Sequence, residues 1–160
     1  PGSFETMSQL LPFTPHLVSP EDSTNWERYL GLRYSILRKP WGQSRQSTTD
    51  QGEDRSLHLL IVDTEQEAVA CGRLEIIDVS QAKIRSMAVR EDAQGQGWGR
   101  IIIEHLEALA VERGLKELIL DAREPAVGFY LKLGYRDLGP SYLLFGLIPH
   151  RKMGKQLYQV

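Results

Sequence analysis

Cysteine is almost missing from this chain: Cys71 is the only one in 160 residues. No disulfide can form within the chain, so a packed core has to hold the fold, and a reducing cytoplasm is the simpler home. Long apolar runs are absent too. None approaches the ~20 residues that cross a bilayer as a helix, which argues against a membrane role. Neither sign of charge dominates, with 19 Lys and Arg against 21 Asp and Glu, and the net charge of −2 argues against a general nucleic-acid surface. No His has a partner at metal-ligand spacing: His105 reads as the solvent side of a helix and His150 as part of a basic tail, so no metal is expected. Internal repeats, low-complexity tracts and linkers are lacking as well.

What is present is ordinary for a folded globular chain, with 41% hydrophobic and 25% charged residues. A chain of this length buries roughly two thirds of the surface it exposes when unfolded, enough for one core. We read residues 7–160 as a single domain. Residues 1–6 precede the first methionine and lack a charged-then-apolar leader pattern, so they read as a remnant of expression, with Met7 as the native start.

Taken in order, residues 16–19 form a short strand, and Pro20-Glu21-Asp22-Ser23 opens a helix on which Trp26, Tyr29, Leu30, Arg33, Tyr34 and Leu37 recur at helical spacing until Lys39-Pro40. Residues 41–55 are polar and poor in aliphatic side chains, a long loop. Residues 57–62 and 68–77 make a hairpin around Asp63-Thr64-Glu65-Gln66-Glu67. On its second strand Arg73 and Glu75 project to one side, the ordinary pattern of a solvated face, with acceptor chemistry as the alternative. Later strands fall at 116–121, 135–138 and 142–147, and residues 148–153 form the basic tail.

The centre of the sequence is a strand through Ile84, Met87 and Val89, a glycine-rich loop, and a helix with an apolar stripe at Ile102, Ile103, Leu106, Leu109 and Ala110. The loop reads Gln94-Gly95-Gln96-Gly97-Trp98-Gly99-Arg100. Three glycines in five residues let the backbone approach a ligand, and the first amides of a helix favour an anion such as a phosphate. The spacing is neither G-x-G-x-x-G nor a Gly-Lys-Ser/Thr loop, which excludes dinucleotide and nucleoside-triphosphate readings.

This stretch resembles the acyl-CoA signature of the GNAT superfamily of N-acetyltransferases, Gln/Arg-x-x-Gly-x-Gly/Ala, here Gln94-x-x-Gly97-x-Gly99. A second run, Ala126-Val127-Gly128-Phe129-Tyr130-Leu131-Lys132-Leu133-Gly134-Tyr135, resembles the family's A-x-x-F-Y-x-K-x-G-F/Y. Pro125 stands where the family often has an asparagine, so that residue's cofactor contact is not carried over. The resemblance covers residues 82–135, about a third of the chain. It implies an α/β (α+β) fold, a mixed, mostly antiparallel sheet flanked by helices on both faces, with acetyl-CoA (coenzyme A) as acyl donor. It also implies that Gln94, Gly95, Gln96, Gly97, Trp98, Gly99 and Arg100 hold the pyrophosphate. Backbone groups of Met87, Ala88 and Val89 would meet the pantetheine arm and the acyl carbonyl, one amide stabilising the oxyanion. Tyr130 is the implied general acid for the departing thiolate.

A lysine-like amine needs about 4.6 kcal/mol to lose its proton at pH 7, so a base is useful. No carboxylate lies between residues 82 and 89, and Glu75 on the neighbouring strand is the first candidate, acting directly or through water. The expected activity is transfer of acetyl to a small-molecule primary amine, with no nucleic-acid or membrane partner and a homodimer left open. A non-catalytic acyl-CoA sensor, a longer acyl donor and a protein or peptide acceptor are the alternatives.

Overall fold

The computed structural model describes residues 12–157, so the reading of residues 1–6 as an expression remnant lies outside the described residues. Seven strands form one sheet in the order β1-β2-β3-β4-β5-β7-β6. They are β1 (Phe13–Val18), β2 (Ser56–Asp63), β3 (Ala68–Ile76), β4 (Gln81–Val89), β5 (Glu117–Arg123), β6 (Arg136–Leu144) and β7 (Ile148–Gln156). Of the pairings, β1–β2, β5–β7 and β6–β7 are antiparallel and β4–β5 is parallel. The helices are α1 (Ser23–Leu37), α2 (Trp98–Glu112) and α3 (Val127–Lys132).

The described residues fall into two compact units, one running to Arg73 and resuming over Ser86–Ile102, the other made of Leu74–Arg85 and the chain from Ile103 onward. In the first unit α1 starts where Asp22 accepts the amide of Asn25, a side-chain cap. Its buried stripe sets Tyr29 and Leu32 against Val18, Leu60, Val62, Cys71 and Ala88. Each fully buried Leu or Val there contributes about 1.5–3 kcal/mol of hydrophobic stabilisation.

Beneath residues 42–55 lies a buried ionic network. Arg33, 2% exposed, grips Glu53 with both terminal nitrogens, at 2.7 and 2.9 Å, and also bonds the carbonyl of Thr48. Arg73, fully buried, donates to both carboxylate oxygens of Asp50, to Glu53 and to Ser56 Oγ. The long loop of the sequence reading is therefore a string of short 3₁₀ turns, at Lys39–Trp41, Arg45–Thr48 and Glu53–Arg55, held from below by two arginines. The solvated face expected for Arg73 and Glu75 is also corrected: Glu75 is only 3% exposed. A strand with polar residues on one face looks the same in sequence whether water or counter-charges cover them.

In the second unit the buried residues include Leu106 and Ala110 of α2, Leu118, Leu120 and Ala122 of β5, Tyr135, and Met153 of β7. Glu107 receives the Tyr135 hydroxyl at 2.8 Å and the Lys155 ammonium at 3.1 Å, and Lys155 also bonds the carbonyl of Leu133. This ties α2, the end of α3 and β7 together. Two sequence expectations are corrected here. The basic tail is strand β7, lodged between β5 and β6, and the two strands expected at 135–138 and 142–147 are the single bulged strand β6. Pro149 and three basic or imidazole side chains disguise β7, because Pro at the second strand position lacks a ladder donor.

Candidate functional site

In the first unit the site begins on β4. Ser86 takes φ +53°, a left-handed conformation in mid-strand that costs of order 1–3 kcal/mol in a residue with a side chain. Met87 and Val89 are half-buried after it and Ala88 is buried. The ladder closes with the Arg90 amide on the carbonyl of Val69 at 2.8 Å, while the Arg90 side chain bonds Asp63 and Asp92.

From there the chain makes a 3₁₀ turn, Glu91–Ala93, and enters the glycine loop. Gly95 and Gly97 sit at φ +77° and +94°, where a side chain is strained, and a Cβ built on either would meet nothing within 4 Å. Open space over a left-handed turn at the first residues of α2 fits the close approach of a pyrophosphate to backbone amides, with the helix dipole adding favourable charge. Gln94 donates from Nε2 to the carbonyl of Val89 at 3.0 Å, and Gln96 to that of Asp92 at 3.3 Å, so both brace the loop from its own backbone. Trp98 is buried edge-on against Phe13, ring centres 5.0 Å apart, anchoring the start of α2. Gly99 has helical backbone inside α2 and Arg100 is exposed beside it. The structure thus brings Met87, Ala88, Val89 and the loop from Gln94 to Arg100 into one continuous segment, with the Gln94 side chain spanning it.

The other two predicted residues belong to the second unit. Glu75 accepts Arg85 Nε at 2.7 Å. Tyr130 lies on α3, its ring edge-on to Phe129 and Tyr135, and burial pushes its hydroxyl up to about 12. It therefore stays protonated at neutral pH, the state a proton donor requires. The left-handed Ser86 was not predicted. A serine between Arg85 and Met87 carries no sign of it, since glycine is the residue that announces positive φ.

Fold and site together define a class of protein, the acyl-CoA-binding acyltransferases built on a strand, glycine loop and helix. Residues 24–135 match the Acetyltransferase (GNAT) family. An uncharacterized N-acetyltransferase of Bacillus subtilis, YjcF, is 32% identical over 124 residues, covering 78% of this chain and 87% of its own length. Among solved structures, a candidate N-acetyltransferase from Lactobacillus plantarum superposes with a TM-score of 0.80 at 23% identity, over 91% of this chain and 99% of that one. An aminoglycoside 6'-N-acetyltransferase complexed with coenzyme A gives 0.75 at 14% identity, over 92% and 98%. This chain belongs to the GNAT family. It is an acyl-CoA-dependent N-acetyltransferase acting on an amine acceptor.

Among the described residues no helix is long and apolar enough to cross a membrane, and no group of three or more His, Cys, Asp or Glu is placed to hold a metal ion.

Proposed function

We propose that this chain transfers the acetyl group of acetyl-CoA to the primary amine of a small molecule, in the cytoplasm. The observation that carries this reading is the left-handed turn at Gly95 and Gly97, open above its backbone at the start of α2. Its amides, with those opening α2, hold the pyrophosphate; Gln94 and Gln96 keep the turn in shape. Backbone groups of Met87, Ala88 and Val89, which follow the left-handed Ser86, meet the pantetheine arm and supply an N–H to the oxyanion.

Tyr130 donates its hydroxyl proton toward the departing thiolate. Its raised value makes the phenol a weaker acid than a thiol, so it acts chiefly as a hydrogen-bond donor to the developing charge. Glu75 takes the acceptor's proton, through water. The balance of 19 basic against 21 acidic residues supports a small acceptor over a bulk basic protein.

The test is release of free thiol from acetyl-CoA in the presence of a panel of small amines, beside a set of peptides and folded proteins. Turnover with one class of small amine is expected. Binding of coenzyme A without thiol release on any acceptor would make the chain a non-catalytic acyl-CoA module, and modification of peptides or proteins alone would overturn the small-molecule reading.

A further inference from the structure

Within the second unit, strand alternation and register place Lys83 and Arg85 of β4, Asp121 of β5 and Lys152 of β7 on one face of the sheet. With Ser141 and Tyr142 of β6 they line a cavity of about 430 Å³, a size that suits a small metabolite. The charges there do not cancel. Lys83 meets one oxygen of Asp121 at 2.5 Å and the Ser141 hydroxyl donates to the other at 2.5 Å, so that carboxylate is fully engaged. Arg85 uses only Nε on Glu75, and its two terminal amino groups bond nothing among the described residues. Lys152 is exposed and its ammonium has no ion-pair partner among them. Arg85 is ion-paired through Nε with Glu75 and Lys83 with Asp121, so the cavity keeps one positive charge without a counter-charge, the Lys152 ammonium, beside the unbonded terminal amino groups of the Arg85 guanidinium. A protonated amine is repelled by such a pair, whereas an oxyanion receives charge-assisted hydrogen bonds, two of them from the planar guanidinium edge.

We propose that this cavity holds an oxyanion carried by the acceptor, through Arg85 and Lys152. The acceptor is then an amine that also bears a carboxylate or phosphate, an amino-acid-like molecule and not a polyamine or amino sugar. This inference rests on the acetyltransferase reading with a small acceptor.

The experiment compares matched acceptors with acetyl-CoA: glycine and glutamate for a carboxylate, O-phosphoethanolamine for a phosphate, glycinamide and putrescine for amines without an anion. The wild-type protein is set beside Lys152→Glu, a change at an exposed site. An anionic acceptor should exceed glycinamide at least tenfold in kcat/KM, and whether the carboxylates or the phosphate win names the oxyanion. In Lys152→Glu the acceptor's KM should rise at least tenfold while the KM of acetyl-CoA stays within twofold. Preference for glycinamide or putrescine overturns the proposal and leaves the acetyltransferase reading intact. So does a KM increase confined to acetyl-CoA, which would give the cavity to a phosphate of the donor. If no amine is acetylated, the small-acceptor reading fails, and an NMR titration with glutarate and inorganic phosphate decides the site by itself. Saturable shifts at the amides of Ser141, Tyr142 and Lys152 that vanish in Lys152→Glu uphold it; no such shifts overturn it.

Discussion

The Tyr29 hydroxyl lies 2.6 Å from His58 Nδ1, and His58 Nε2 lies 2.8 Å from the carbonyl oxygen of Glu53. A carbonyl only accepts, so the ring proton sits on Nε2 and Nδ1 receives the tyrosine's. The imidazole is neutral, wedged between α1 and the turn that carries Glu53. Burial holds His58 below the ordinary imidazole value, outweighing the opposing pull of Glu53.

A pH dependence follows from that sign. In the unfolded chain His58 titrates near 6.5; in the folded protein it binds its proton only at lower pH. The stabilisation is complete above about pH 6.5 and is lost as pH falls through the depressed value, by at most about 1.4 kcal/mol per unit. Urea midpoints should drop from pH 7 to 5.5 in the wild type and drop less in His58→Gln. Parallel curves would remove His58 as the cause.

Arg73→Met leaves Asp50 and Glu53 without one of their cations. Removing one partner of a buried ion pair costs 3–5 kcal/mol, and because Asp50 is half exposed and can rehydrate, the loss should fall near about 3 kcal/mol. Denaturant unfolding measures it, and limited proteolysis should show faster cleavage within residues 42–55.

Burial pushes the Cys71 thiol up to about 12, and the side chain is inaccessible. Ellman's reagent at pH 8 should find no reactive thiol in the native protein and one equivalent after denaturation. Rapid native labelling would show that β3 opens far more readily than its packing implies.

At φ +94°, Gly97 is the position in the loop where a branched side chain is least tolerable. Gly97→Val should lower coenzyme A affinity at least tenfold by calorimetry, since the side chain both fills the open space and forces the turn to another shape. Wild-type affinity would mean that the phosphate lies elsewhere.

Tyr130→Phe keeps the ring packing on Phe129 and Tyr135 and removes only the donor. We expect kcat to fall by about 10²–10⁴ with acetyl-CoA affinity within twofold. If turnover is unchanged while the chemical step limits the rate, Tyr130 is a packing residue.

The central strand, loop and helix were legible because their signals are local: glycines at fixed spacing, then an apolar stripe at Ile102, Ile103, Leu106 and Ala110. The fate of Arg73 was not, since its partners Asp50 and Glu53 lie about twenty residues away on a segment without periodicity. For β7 the obstacle was composition, as Pro149, His150, Arg151 and Lys152 look like a solvated end, although Ile148, His150 and Met153 are buried. His150 stacks on Tyr142 with ring centres 4.7 Å apart, a contact that appears only once β6 and β7 are paired. The charges of the cavity were visible on each strand separately. Which of them is left without a counter-charge depends on which side chain reaches which, and no spacing rule reports that.

The position of β7 also sets an order in time. Glu117 pairs with Gln156 and Arg123 with His150, so β5 waits for a segment made 27 to 39 residues after it, while β6, synthesised in between, pairs only with that later segment. During synthesis the first unit can complete its β1–β2 pairing and its α1 packing while β5, paired with β4 on one side only, and β6 still wait for β7. At ribosomal speeds of about 5–20 residues per second that interval lasts seconds, and it leaves strand edges open to the wrong partners. A mutation weakening β7 would therefore show first as poor yield or aggregation in the cell, before any change appears in the equilibrium stability of the finished protein.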